Sequence, residues 1–121
     1  MNLSAESKQE LFVAAITDGC NAAHKTSWDH GFWEGYDADE TNYKLSRIAL
    51  MHSELSEALH GIRKGLMDDH LPNRSMEICE MADTVIRIFD YCGGYNLPLG
   101  EVILEKMAYN KGRPFKHGDV T

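Results

Sequence analysis

Cysteine and proline are scarce in this chain, with three of each in 121 residues. Cys20, Cys79 and Cys92 form no Cys-x-x-Cys pair, and their odd number leaves one thiol over. This argues against a disulfide scaffold and for a reducing, cytoplasmic setting. The prolines stand at positions 72, 98 and 114, and none interrupts a long periodic stretch. The longest apolar run, Leu11 to Ile16, is far too short for a membrane span. The opening Met1-Asn2-Leu3-Ser4 has neither the basic residue nor the apolar stretch of a signal peptide. No segment alternates apolar and polar residues as a half-buried strand does. There is no glycine-rich phosphate loop, no Ser/His/Asp arrangement, and no zinc-like spacing among the six histidines. Basic residues are outnumbered 12 to 19, for a formal net charge of −7. That balance argues against a protein gripping a nucleic-acid polymer. It leaves room for a small anion, because a divalent cation inverts the local sign of an acidic site.

The remainder reads as one all-α domain over residues 1–121, with 43% hydrophobic and 26% charged residues. Four helices are expected. The first starts near Ser4 or Ser7, where Ser7-Lys-Gln-Glu10 fits a capping box, and runs to about residue 25. Residues 26–41 read as an aromatic, glycine-containing loop. The second, over about 42–64, carries Leu45, Ile48, His52, Leu55, Leu59 and Ile62 at helical spacing, with Gly65 as its left-handed stop. The third covers about 74–92 and stops at Gly93-Gly94. The fourth begins near Pro98 and stops at Gly112.

The second helix contains Glu54-Leu-Ser-Glu57 and the third contains Glu80-Met-Ala-Asp83. Residues three apart share a helix face, so each pair of acids lies one turn apart. Glu54 and Glu57 lie opposite the leucine stripe, among Leu50, Met51, Ala58 and Gly61. Helix two therefore reads as contacted on both sides, and a homo-oligomer, dimer or tetramer, would cover the second face. Antiparallel packing of helices two and three lets the four carboxylates converge. Hard oxygen donors of this kind suit Mg²⁺ or Mn²⁺. At ~6 Å and an effective dielectric of ~20, each pair of like charges costs about 3 kcal/mol, so convergence calls for a cation or a proton. Either pair alone also fits an ordinary exposed face, with Arg87 paired to Asp83 one turn away. Glu57-Ala-Leu-His60 matches the Glu-x-x-His unit of di-iron bundles, but that unit is needed twice and occurs once.

Lys106, Asn110 and Arg113 stand at the end of the fourth helix. They suit phosphate oxygens, and equally the negative end of the helix dipole. Trp28 and Trp33, with His24 and Phe32 close by, offer rings on which a nucleobase can stack, or a cluster that pins the loop to the bundle.

These features together resemble the MazG-like family of all-α nucleoside triphosphate pyrophosphohydrolases. The family pattern is Glu-x-x-Glu, a gap of about 12–28 residues, then Glu-x-x-Asp; here 22 residues separate Glu57 from Glu80. Ala49-Leu-Met-His-Ser-Glu-Leu-Ser-Glu-Ala-Leu59, Glu77-Ile-Cys-Glu-Met-Ala-Asp-Thr-Val-Ile-Arg87 and Lys106-Met-Ala-Tyr-Asn110-Lys-Gly-Arg113 carry the likeness, which covers about residues 24–118. The single motif copy resembles the short, phage-type members. The resemblance implies a four-helix, bundle-like, oligomeric fold. It also implies cleavage of an NTP or dNTP to the monophosphate and pyrophosphate. Glu54, Glu57, Glu80 and Asp83 would hold Mg²⁺, with Glu54 acting on the attacking water. Lys106, Asn110 and Arg113 would hold the phosphates, and Trp28, Trp33 and His24 would face the base. The alternative is a catalytically weak nucleotide-sensing or protein-interaction module on the same fold, against which the four intact acids count.

Overall fold

Local signals account for where the helices begin and end. The computed structural model describes residues 2–35 and 40–115. The part of the expected 26–41 loop at residues 36–39, and residues 116–118, lie outside them. Four helices follow in order: α1 (Ala5–Asp29), α2 (Glu40–Lys64), α3 (Met76–Gly94) and α4 (Leu99–Lys111). Apart from one isolated bridge between Met67 and Ser75, the described residues contain no strand pairing. No described helix is long and apolar enough to cross a membrane.

Ser4 caps α1, its hydroxyl accepting from the Ser7 N–H at 3.1 Å. The capping box expected at Ser7 is therefore not used. Nothing in Thr26-Ser27-Trp28-Asp29 breaks a helix, so α1 runs one turn past the expected end and stops where Gly31 takes φ +82°. Trp28 accordingly lies on α1, not in a loop. At the end of α2, Gly65 has φ +62°, its N–H bonds the Ile62 carbonyl, and the Leu66 N–H bonds the Gly61 carbonyl. This is the Schellman closure that its position suggests. Ser75 caps α3 through the Ile78 N–H, which delays that helix to Met76.

Gly93 and Gly94 do not stop α3; they form its last turn. Their lack of a side chain serves packing. A Cβ on Gly93 would lie 2.4 Å from the Cys20 carbonyl oxygen, and one on Gly94 would lie 2.3 Å from the Trp33 ring. α1 and its following turn can therefore close directly onto α3.

The central element is α3, which packs against both α1 and α2, while α4 packs on α1. The side of α2 turned to α3 is its small-residue side. Ala58 and Gly61 are buried, and a Cβ on Gly61 would lie 2.7 Å from Met76. The leucine stripe on the opposite side faces outward, with Leu45 61% and Leu59 63% exposed. Close approach of the backbones is what selects the small face. The core is correspondingly thin, and its buried apolar members among the described residues are Cys20, Trp33, Ala58 and Cys92.

Candidate functional site

Because the small-residue face of α2 also carries Glu54, packing α2 on α3 brings Glu54 to Glu80 and Asp83. One carboxylate oxygen from each lies within 4.8 Å of the other two. Glu57, one turn along α2, is exposed and stands outside this group, although its charge still acts on Glu80. His60 takes no part in the cluster. The Nε of Arg87 donates to Glu54 Oε1 at 2.8 Å, so Arg87 pairs across the helix interface and not with Asp83 on its own helix.

The three acids are electrostatically unequal. Glu80 is 7% exposed. Its hydrogen bond with Glu54, its burial, and the charges of Glu54, Asp83 and Glu57 push its carboxyl up to about 7. Burial pulls Glu54 upward, but the hydrogen bonds from Glu80 and Arg87 and the Arg87 charge outweigh it, leaving that carboxyl below its ordinary value. Partial burial, then the charges of Glu54 and Asp68, raise Asp83 against the opposing pull of Arg87 and His70. One carboxylate oxygen of Glu80, Oε2, is buried with no hydrogen-bond partner among the described residues. Such an orphan is costly unless a proton or cation meets it.

Glu54 and Asp83 open into a cleft of about 980 Å³ between α1, α2 and α3. It follows α2 from Tyr43 to Glu54, three turns or about 16 Å. Glu54, Asp83, Arg87 and His70 line it, as do Phe32, Tyr43 and His30. Beside it, Asp90 fastens the 30–35 turn. Its Oδ1 accepts from Trp33 Nε1 at 2.9 Å and lies 3.1 Å from His24 Nδ1, while Oδ2 is 3.5 Å from Arg47. The Arg47 guanidinium sits over the Trp33 ring at 4.0 Å and donates to the Phe32 carbonyl and the Tyr43 hydroxyl.

The chain matches no family model, no curated protein and no solved structure.

The residues expected to face a base occupy different positions. Trp33 is buried at 4% exposure and, with His24, is committed to Asp90, so both act as pins for the turn. Trp28 is exposed beside His24, with ring centroids 5.9 Å apart, but does not line the cleft. The exposed aromatic that does is Phe32. Lys106, Asn110 and Arg113 also lie off the cleft, since α4 packs on α1 and both cations flank Tyr109, at 5.3 and 5.8 Å. Residue-by-residue reading missed Arg47 and Asp90. The available signal was an acid flanked by apolar residues in Ile88-Phe-Asp-Tyr-Cys92, seven residues after Asp83 and hence on the same side of α3.

Proposed function

We propose that this protein is a Mg²⁺-dependent nucleoside triphosphate pyrophosphohydrolase of MazG-like type. The observation that carries the proposal is the convergence of Glu54, Glu80 and Asp83 at a cleft long enough for a nucleotide, with the buried Glu80 Oε2 unpartnered among the described residues. This fits the residues to a hard divalent cation better than to a bare ion-pair network, which would leave no buried oxygen without a partner. Glu57, one turn along α2, adds its charge to the group. Mn²⁺ suits the same donors.

When bound, the cation would screen phosphate charge and lower the pKa of water in the site. The chain's own residues do the rest. Arg87 fixes Glu54, and its charge helps keep that carboxylate ionised. Glu54 can then orient the attacking water and take its proton. One water is consumed, the anhydride bond between the α and β phosphates breaks, and pyrophosphate leaves. Phe32 and Tyr43, at the far end of the cleft, are the rings against which a base would lie.

A second copy of the chain completes this reading. A compact chain of this mass should expose about 6,600 Å², whereas this one exposes 9367 Å². The excess lies partly on the leucine stripe of α2, and a homo-oligomeric contact of obligate size would remove it. Lys106, Asn110 and Arg113, which lie off this cleft, would then serve phosphates from the α4 of a neighbouring copy. The test is turnover of a panel of four NTPs and four dNTPs with Mg²⁺ and pyrophosphate detection. Release of pyrophosphate from at least one, abolished by chelator, supports the proposal; silence across the panel overturns it.

A further inference from the structure

The cations that line the cleft differ in what their donors already hold. The terminal nitrogens of Arg47 are spent: one faces Asp90 and the other serves the Phe32 carbonyl and the Tyr43 hydroxyl, while its Nε is buried with no hydrogen-bond partner among the described residues and its plane lies over Trp33 and Tyr43. Arg87 uses only Nε, on Glu54. Its side chain is 39% exposed, it lines the cleft, and its two terminal amino groups have no partner among the described residues. Among the described residues, no lysine lines the cleft. Arg87 stands on the same side of α3 as Asp83, one turn further on, so whatever meets the acids also passes this guanidinium.

We propose that Arg87 is the cleft's phosphate-binding residue, holding Glu54 through Nε and presenting its terminal N–H fork to the oxygens of an oligophosphate. The inference rests on the nucleotide reading above and deepens it. A planar fork with fixed donor geometry matches phosphate oxygens, which a lysine ammonium engages only as a point charge. The Glu54 pair holds the guanidinium in place before the ligand arrives, lowering the ordering cost of binding.

The probes are a non-hydrolysable α,β-methylene nucleoside triphosphate and inorganic tripolyphosphate, each titrated calorimetrically into the full chain with Mg²⁺ present. Arg87→Gln should weaken both by about 10- to 100-fold. Arg87→Lys, which keeps the charge but not the fork, should recover part of that loss. A Mg²⁺ titration without phosphate should show metal affinity kept or improved in Arg87→Gln, since a competing cation has left the acids. Circular dichroism checks that both variants keep their helices; if one does not, the other decides. Wild-type affinity for both phosphates in Arg87→Gln, or a loss confined to Mg²⁺ binding, overturns the proposal and leaves the nucleotide reading intact. Arg87-dependent binding of tripolyphosphate with no binding of the nucleotide analogue keeps the phosphate role and removes the nucleotide. Binding of neither probe by the parent overturns both.

Discussion

Replacing Glu80 by glutamine should stabilise the metal-free protein, increasingly so as pH rises from about 5 to above 7. Glu80 is buried against Glu54, and that hydrogen bond, burial and the surrounding acids push its carboxyl from 4.5 up to about 7. A displacement of that size corresponds to about 3 kcal/mol against the ionised form. Between those two values the folded chain holds a proton that the unfolded chain has released. Stability therefore falls as pH rises through the window and is level above it. Glutamine keeps an N–H donor for Glu54 and never ionises, so it escapes the loss. At pH 8 in chelator, Glu80→Gln should exceed the parent by up to about 3 kcal/mol, on the order of 10 °C in Tm for a chain of this size. At pH 5 the two should nearly coincide. Excess Mg²⁺ should reverse the order at pH 8, because binding to the folded state raises the stability of the parent more than that of a variant lacking a ligand charge. Thermal melts followed by circular dichroism from pH 5 to pH 8, with and without chelator, measure all of this. A gap of the same size at both ends of the range, or a less stable variant at pH 8, would refute the argument that crowding of acids at Glu80 opposes its ionisation.

Asp90→Asn should leave Arg47 partly buried without its carboxylate and loosen Trp33. The expected cost is about 3 kcal/mol in urea unfolding, with a red-shifted tryptophan emission; unchanged emission would remove the pinning role. Leu59→Glu places a charge in the exposed stripe of α2. It should shift light-scattering mass from oligomer to monomer with helicity retained, and a parent that is monomeric at roughly tens of micromolar, where an obligate contact should be occupied, would contradict the second copy.

The helices were legible because their signals are local. Gly65 ends α2 by its left-handed conformation, and the periodic stretch before it is a property of that stretch alone. Gly93 and Gly94 misled because a glycine pair reads as a stop, while their actual role, admitting Cys20 and Trp33, depends on residues about 60 to 70 positions away. The side of α2 that meets α3 follows from small residues. Leucines mark a surface that avoids water, but Ala58 and Gly61 mark where a neighbouring backbone can come closest, and α3 takes that side. Glu54, opposite the leucines, falls on the same side. The spacing of the acids placed three of the four together. The base and phosphate contacts were less legible. Trp33, His24 and Arg113 were judged by residue type, whereas their roles follow from where the 30–35 turn and α4 dock.

The claim at the centre is that the acid cluster serves breakage between the α and β phosphates of a nucleotide. Phosphorus NMR of the products, with Mg²⁺ and the substrate turned over fastest, tests it most directly. The parent should give the monophosphate and pyrophosphate, and Asp83→Asn, folded as judged by circular dichroism, should lose at least about 100-fold in rate, the scale of a lost charge-stabilising group. Release of orthophosphate with a nucleoside diphosphate, or undiminished turnover by Asp83→Asn, would contradict it.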